Sequence, residues 1–329
     1  MTHKLLPGSP ELYHGTEKSR PYFEGWYFKH VSEKTGFSLA VIPGVYRSRK
    51  KSEDHCFIQV LHNNDSYYIK YPIEEFKFNA NEFEINIGGS FFSLSNIILD
   101  IFSDEISVKA KIAYSNQTPL KTSTLSPSIM GPFSFFPGMQ CNHGVLSLNH
   151  DAGGLIIING MEQDISGLSG YIEKDWGEAF PDSWLWLQCN GTSKKYGNYS
   201  CMCSYASIPY AFLNFKGLIA VVMYEGMQHR FATYNFSRVT RLVKNGRNVE
   251  ITIKKFNLEL IIKAVSPKSS VLKAPAAEGM ARDIRESLNA EINVSLKKRG
   301  KVIFEQTHSM GGLEISEIDS IIINKTHHI

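Results

Sequence analysis

The chain has 329 residues, of which 43% are hydrophobic, and its 35 basic and 32 acidic side chains leave a formal net charge of +3. Lys and Arg are scattered apart from the short Arg47-Ser-Arg-Lys-Lys51 run, so no nucleic-acid-binding stripe is expected. The start, Met1-Thr-His-Lys-Leu-Leu-Pro7, has no apolar signal core, and no stretch reaches the ~20 apolar residues of a membrane span; a soluble, cytoplasmic protein is expected.

Residues 1–20 are polar and punctuated by Gly and Pro, which reads as an extended arm. From Tyr22 onward, short apolar or alternating runs recur between turn signals. Phe37–Val41 ends ahead of Pro43-Gly44, His55–His62 ahead of Asn63-Asn-Asp65, and Ser66–Tyr71 ahead of Pro72. Phe83–Ile87, Ile97–Phe102 and Ile106–Tyr114 follow. Residues 115–140 hold four prolines and the aromatic segment Met130-Gly-Pro-Phe-Ser-Phe-Phe-Pro-Gly-Met139, a composition suited to a loop or lid. Gly144–Asn149 and Leu155–Met161 read as two strands split by an Asp151-Ala-Gly-Gly154 turn.

The second half repeats this grammar. Strands are expected at Trp184–Asn190, Tyr199–Tyr205, Phe212–Tyr224, Phe231–Asn235, Val249–Ile253, Phe256–Ala264, Leu288–Lys298 and Val302–His308, with Pro267–Arg285 as a mobile loop or short helix. Enrichment in Val, Ile, Phe and Tyr with a break every ~8–12 residues marks an all-β sandwich or barrel. Two β halves of similar length predict two linked antiparallel domains, 1–165 and 166–329.

Five cysteines, an odd number, argue against a disulfide framework. Cys201-Met-Cys203 reads as two buried thiols on one strand face. No Cys or His pair follows at finger spacing, so no metal site is expected. P-loop, Gly-x-Gly-x-x-Gly, His-Glu-x-x-His and Gly-x-Ser-x-Gly signatures are all missing from the sequence, which removes most nucleotide, zinc-protease and serine-hydrolase readings.

What remains is two clusters that mix carboxylates with large rings. One is Pro21-Tyr-Phe-Glu-Gly-Trp-Tyr-Phe28; the other runs from Gly170-Tyr-Ile-Glu-Lys-Asp-Trp-Gly177 through Trp184-Leu-Trp-Leu-Gln-Cys-Asn190, and together they hold all four tryptophans. Alternation on a strand puts Tyr22, Glu24, Trp26 and Phe28 on one face. Tyr171, Glu173 and Asp175 share another, as do Trp184, Trp186, Gln188 and Asn190, with Leu185, Leu187 and Cys189 opposite. A carboxyl group among rings can keep its proton near neutral pH and act as a general acid. The bland alternative is that Glu24 and Glu173 pair with Lys29, Lys174 or Arg20 as structural staples. His143, in Gln140-Cys-Asn-His-Gly144, and His55 are the histidines best placed to matter, although a histidine beside a turn is more often a structural hydrogen-bonder.

Phe23-Glu-Gly-Trp-Tyr-Phe-Lys29, Glu173-Lys-Asp-Trp-Gly177, Phe180-Pro181 and Trp184-Leu-Trp-Leu-Gln-Cys-Asn190 resemble motifs of the tocopherol cyclase family, with Met139-Gln-Cys141 a weaker match. The resemblance covers positions 23–190. It implies a fold related to the two-lobed, lipocalin-like barrels of the carotenoid hydratases. It also implies closure of a prenylated quinol to a chromanol ring without a cofactor, by protonation of an alkene and capture of the tertiary cation by phenolic oxygen. Glu173 or Glu24 would then be the proton donor, with Asp175 in support. Tyr22, Trp26, Trp176, Trp184 and Trp186 would supply π faces around a dry hollow, Gln188 and Asn190 would orient hydroxyls, His143 would contact substrate, and the Phe133, Phe135 and Phe136 segment would help hold the prenyl tail. The plant cyclases carry an amide where Asp175 stands, which moves weight to Glu173 and Glu24. The expected partner is a small isoprenoid, reached by transient membrane contact. A non-catalytic lipid carrier and an isoprenoid hydratase are the alternatives.

Overall fold

A computed structural model describes residues 9–15, 20–210, 213–276, 279–319 and 321–322. The chain divides into two compact units: unit 1 is Met1–Pro181, Pro209–Phe212 and Ser270–Ile284, and unit 2 is Asp182–Ile208, Leu213–Ser269 and Arg285–Ile329. Where the sequence suggested a break between 165 and 166, the strand carrying Glu173 and Asp175 is part of unit 1. The return segments that interleave the two units carry no change of composition that would announce them.

Unit 1 holds β1 (Tyr22–Ser32), β2 (Phe37–Arg47), β3 (His55–His62), β4 (Asp65–Pro72), β5 (Lys77–Phe78), β6 (Glu84–Ile87), β7 (Ser90–Ser93), β8 (Asn96–Phe102), β9 (Ser107–Thr118), β10 (Cys141–Ile158), β11 (Met161–Glu162) and β12 (Ser169–Gly177). They form one antiparallel sheet ordered β4-β3-β2-β1-β12-β10-β9-β8-β7-β6-β5, with β11 beside β10. β8 alternates buried and exposed residues along its length, the pattern of a sheet with one wet face. β1 is different. Its even-numbered residues Tyr22, Trp26 and Phe28 enter the main core with Leu39, Ile58 and Ile172, and its odd-numbered Phe23 packs with Tyr46 and Phe57 in a second cluster. Both faces of this central strand are therefore buried.

β13 (Trp184–Ser193), β14 (Gly197–Tyr210), β15 (Leu213–Tyr224), β16 (Met227–Ala232), β17 (Arg238–Asn245), β18 (Asn248–Lys255), β19 (Leu258–Val265), β20 (Ser270–Ala276), β21 (Gly279–Lys298), β22 (Lys301–Ser316) and β23 (Ile321–Ile322) complete the chain. The second sheet runs β16-β15-β14-β13-β22-β21-β19-β18-β17-β23, with β20 on β21. Leu185, Leu187 and Cys189 of β13 enter the unit 2 core with Cys201, Cys203 and Phe231, as alternation predicts. The five cysteines are free thiols. The all-β expectation holds, in two antiparallel units, and among the described residues no helix is long and apolar enough to cross a membrane.

Several elements differ from the sequence reading. β10 runs unbroken through Asp151-Ala-Gly-Gly154, pairing with β12 over its first half and with β9 over its second. Gly154 adopts φ 145°, and a Cβ there would lie 1.9 Å from the Lys111 carbonyl oxygen, so Gly154 permits close strand approach instead of a reversal. β2 likewise continues through Pro43-Gly44, where Phe57 packs against the glycine so closely that a Cβ would meet its ring at 2.4 Å. Phe231–Asn235 is the end of β16 followed by a short 3-10 turn. β17, hidden by its four charged or amide residues, emerges as a strand paired with β18. Pro267–Arg285 contains β20 and the start of β21 in place of a loop or helix, while Phe212, Ala277 and Glu278 lie outside the described residues.

Candidate functional site

Antiparallel pairing of β1 with β12 sets Glu24 opposite Trp176, Trp26 opposite Lys174 and Tyr27 opposite Glu173. The period of two then sends the sequence-predicted carboxylates to opposite faces. Glu24 lies on the core face with Lys174, and Glu173 and Asp175 lie on the other.

On the core face Glu24 is fully buried and fully engaged. Its carboxylate is ion-paired with the Lys174 ammonium and accepts the Tyr22 hydroxyl, both at short range. The backbone N–H of His14 bonds both oxygens at 3.0 Å and that of Gly15 bonds Oε2 at 3.1 Å, so the described part of the N-terminal arm plugs into unit 1. Lys174 also donates to the Leu12 carbonyl and sits 4.6 Å from the Trp26 ring and 4.8 Å from that of Trp176. The His14 ring stacks on Trp176 at 4.6 Å, and Trp26 Nε1 donates to the Glu11 carbonyl at 2.8 Å. Burial pushes the Glu24 carboxyl up, but the Lys174 charge and the His14 bonds outweigh it and hold the group below its ordinary range. Lys174 is lowered to about 8 by burial, against the pull of Glu24. This is an ionised clamp, the staple that the sequence offered as the bland reading. The arm residues His14 and Gly15 gave no periodic signal by which to anticipate it.

On the opposite face β10 places His143 directly across from Asp175. His143 Nδ1 lies 2.8 Å from Asp175 Oδ1, and its Nε2 lies 3.3 Å from Glu173 Oε2. Tyr171, two residues before Glu173 and so on the same face, donates its hydroxyl to Glu173 Oε2 at 2.6 Å. Glu173 is 4% exposed and His143 8%, while the Asp175 side chain is 26% exposed, so the cluster is screened on its Glu173 side and reaches water at Asp175. Burial lowers the proton affinity of His143, but the Asp175 and Glu173 charges outweigh it and raise its pKa well above the ordinary histidine value. The His143 ring is thus held between two carboxylates that favour its protonated form. Nearby Cys141 is pushed well up by burial and by Asp175, which makes it an inert thiol. One atom each from His143, Glu173 and Asp175 lie within 4.8 Å of one another, a donor set that could also hold a divalent cation.

The remaining predicted residues separate by unit. Trp184, Trp186, Gln188 and Asn190 share one buried face of β13 in unit 2. There Trp184 Nε1 donates to Glu314 Oε2 at 2.8 Å and Gln188 Nε2 to Asn190 Oδ1 at 2.9 Å. The Trp186 ring lies over Gly312, where a Cβ would meet it at 2.7 Å. His55 has both ring nitrogens engaged, with the Glu53 carbonyl and the Tyr68 hydroxyl, each at 2.8 Å, so it is a structural bonder. Phe135 and Phe136 are about half exposed at 51% and 47%, where the sequence reading had set them beside the prenyl tail.

Residues 100–317 match the family described as tocopherol cyclase-like. A chloroplastic protein of rice (Oryza sativa subsp. japonica), named as a probable tocopherol cyclase, is 22% identical over 367 aligned positions, covering 92% of this chain and 77% of the rice protein. Among solved structures, CghA in complex with Sch210972 has a TM-score of 0.59 at 10% identity, covering 90% of this chain and 88% of that one. Kievitone hydratase from Nectria haematococca has a TM-score of 0.53 at 13% identity, covering 94% of both chains. These two likenesses establish the fold as one shared with a hydratase.

Proposed function

Because the chain belongs to the tocopherol cyclase-like family, we propose that it protonates an isoprenoid alkene and closes a prenylated quinol by acid catalysis at the His143–Glu173–Asp175 cluster. The observation that carries this reading is a buried histidine ring set between two carboxylates, 2.8 Å from one and 3.3 Å from the other. The alkene needs a strong acid and a dry site. Glu173 is buried, lies 3.3 Å from His143 Nε2 and accepts the Tyr171 hydroxyl, so it is assigned as the group that hands the proton to the alkene.

His143 passes its proton through Glu173 to the alkene, and Asp175 fixes the imidazole through Nδ1, the role of a carboxylate behind a catalytic histidine. Protonation creates a C–H bond and a tertiary cation. The phenolic oxygen then forms the C–O bond and its proton returns through Glu173 to His143, so no proton or electron is consumed overall. Glu24 is left out of this chemistry, since its carboxylate is bound by Lys174. Hydration is the second reading, favoured by the hydratase fold: the same acid acts and water captures the cation.

The test is product analysis with a prenylated hydroquinone. The full chain should yield the ring-closed product, and Glu173→Gln should lower turnover by about 10²–10⁴ while Tm stays near that of the parent. Undiminished turnover in that variant would remove Glu173 from the mechanism. A tertiary alcohol as the product would move the assignment to hydration.

A further inference from the structure

Unit 2 carries two aromatic rings that neither core packing nor local structure selects. Phe236, after the 3-10 turn Thr233–Asn235, and Phe256, between β18 and β19, are 80% and 82% exposed, with ring centroids 6.2 Å apart. Both take positive φ, 64° and 49°, a backbone region that favours glycine or asparagine.

Their surroundings are cationic. Arg238 pairs with Lys254 across β17 and β18, Lys255 adjoins Phe256, and Leu258 pairs with Lys298, which leads into Arg299. Lys255 Nζ donates to the Arg230 carbonyl at 2.9 Å, which brings that arginine into the same collar. Glu259, three residues on from Phe256, is paired with Lys254 at 2.8 Å. Phe102 of unit 1 is as exposed, at 81%, yet it precedes Asp104 and Glu105, so exposure there lacks this complement of charge.

We propose that the Phe236–Phe256 tip docks on a bilayer bearing anionic headgroups. The two rings enter the interface and the basic collar meets lipid phosphate, the pairing of apolar anchor and positive charge that such surfaces select. The inference rests on the reading above, because a prenylated substrate resides in a membrane and must be taken from it.

Vesicle co-sedimentation tests it with the full chain. Partitioning onto phosphatidylglycerol-containing vesicles should exceed that onto pure phosphatidylcholine and should weaken with salt. Phe236→Ser/Phe256→Ser should lower it about tenfold or more, and Lys298→Glu/Arg299→Glu should lower it with the fold intact by circular dichroism. Equal partitioning of parent and Phe variant would overturn the proposal, as would no vesicle binding, or loss of a dimer by the Phe variant in sedimentation velocity. Turnover of detergent-dispersed quinol by the Phe variant should match the parent. If vesicle binding fails while that turnover persists, docking falls and the catalytic reading stands.

Discussion

Lys174 and its chain neighbours Glu173 and Asp175 are separated by one residue and by the thickness of a sheet. On the core face the buried carboxylate accepts two backbone N–H groups and is paired with an ammonium flanked by two indole rings. On the other face the partner is an imidazole with a carboxylate at each end. Burial lowers the ammonium to about 8 against the pull of Glu24, whereas the two carboxylates raise the imidazole above its ordinary value. The histidines extend the contrast. His30 and His150, buried inside unit 1, are lowered by burial to about 4 and about 3, while His143 is raised. Burial acts in the same direction on all three, and the two flanking carboxylates are what reverse its outcome at His143.

The largest expected effect breaks the core-face clamp. Lys174→Met leaves Glu24 charged and buried without its cation, which should cost about 3–5 kcal/mol in urea unfolding. Pairing it with Glu24→Gln should recover much of that loss. A single variant as stable as the parent would show that the clamp contributes nothing.

A smaller effect comes from the neutral histidines. Their folded pKa values lie below the unfolded value, so the unfolded state binds more protons between about pH 4 and 6.5, and stability falls as pH drops through that window. By pH 5 the loss should be about 2 kcal/mol per histidine. His143 contributes in the opposite sense: its stabilisation is fully present below the unfolded value and is lost only as pH rises through the folded one, so it does not mask the effect. Equal unfolding free energies at pH 6.5 and pH 5 would contradict this assignment.

The smallest effect sharpens the opposite face. Asp175→Asn keeps a hydrogen-bond acceptor for His143 but removes a charge, so turnover should fall about 10–100-fold, less than for Glu173→Gln. Turnover equal to the parent would remove Asp175 from the relay. Treatment with a chelator should leave turnover unchanged if a proton is what the cluster holds; its loss, restored by a divalent cation, would favour a metal there.

Much of this arrangement was legible in the sequence because strand alternation is local. It separated Tyr22, Glu24 and Trp26 from their neighbours, and Trp184, Trp186, Gln188 and Asn190 from Leu185, Leu187 and Cys189, as the two sheets do. What it could not supply is pairing between distant strands. Nothing local places Glu24 beside Lys174, or His143 across from Asp175 instead of Lys174, since each depends on the registers of β1, β12 and β10. Glycine misled for a related reason. Gly153-Gly154 was read as a reversal because turn signals are statistical, while the strand beside it demanded close approach. The contacts of His14 and Gly15 come from a stretch with no periodicity at all.

The most direct test is an NMR titration of the His143 ring in the isotope-labelled full chain. The imidazole should remain protonated well above pH 6.5 in the parent, and its midpoint should fall in Asp175→Asn. A His143 that titrates at or below the ordinary histidine value in the parent would mean that no proton is stored between those carboxylates.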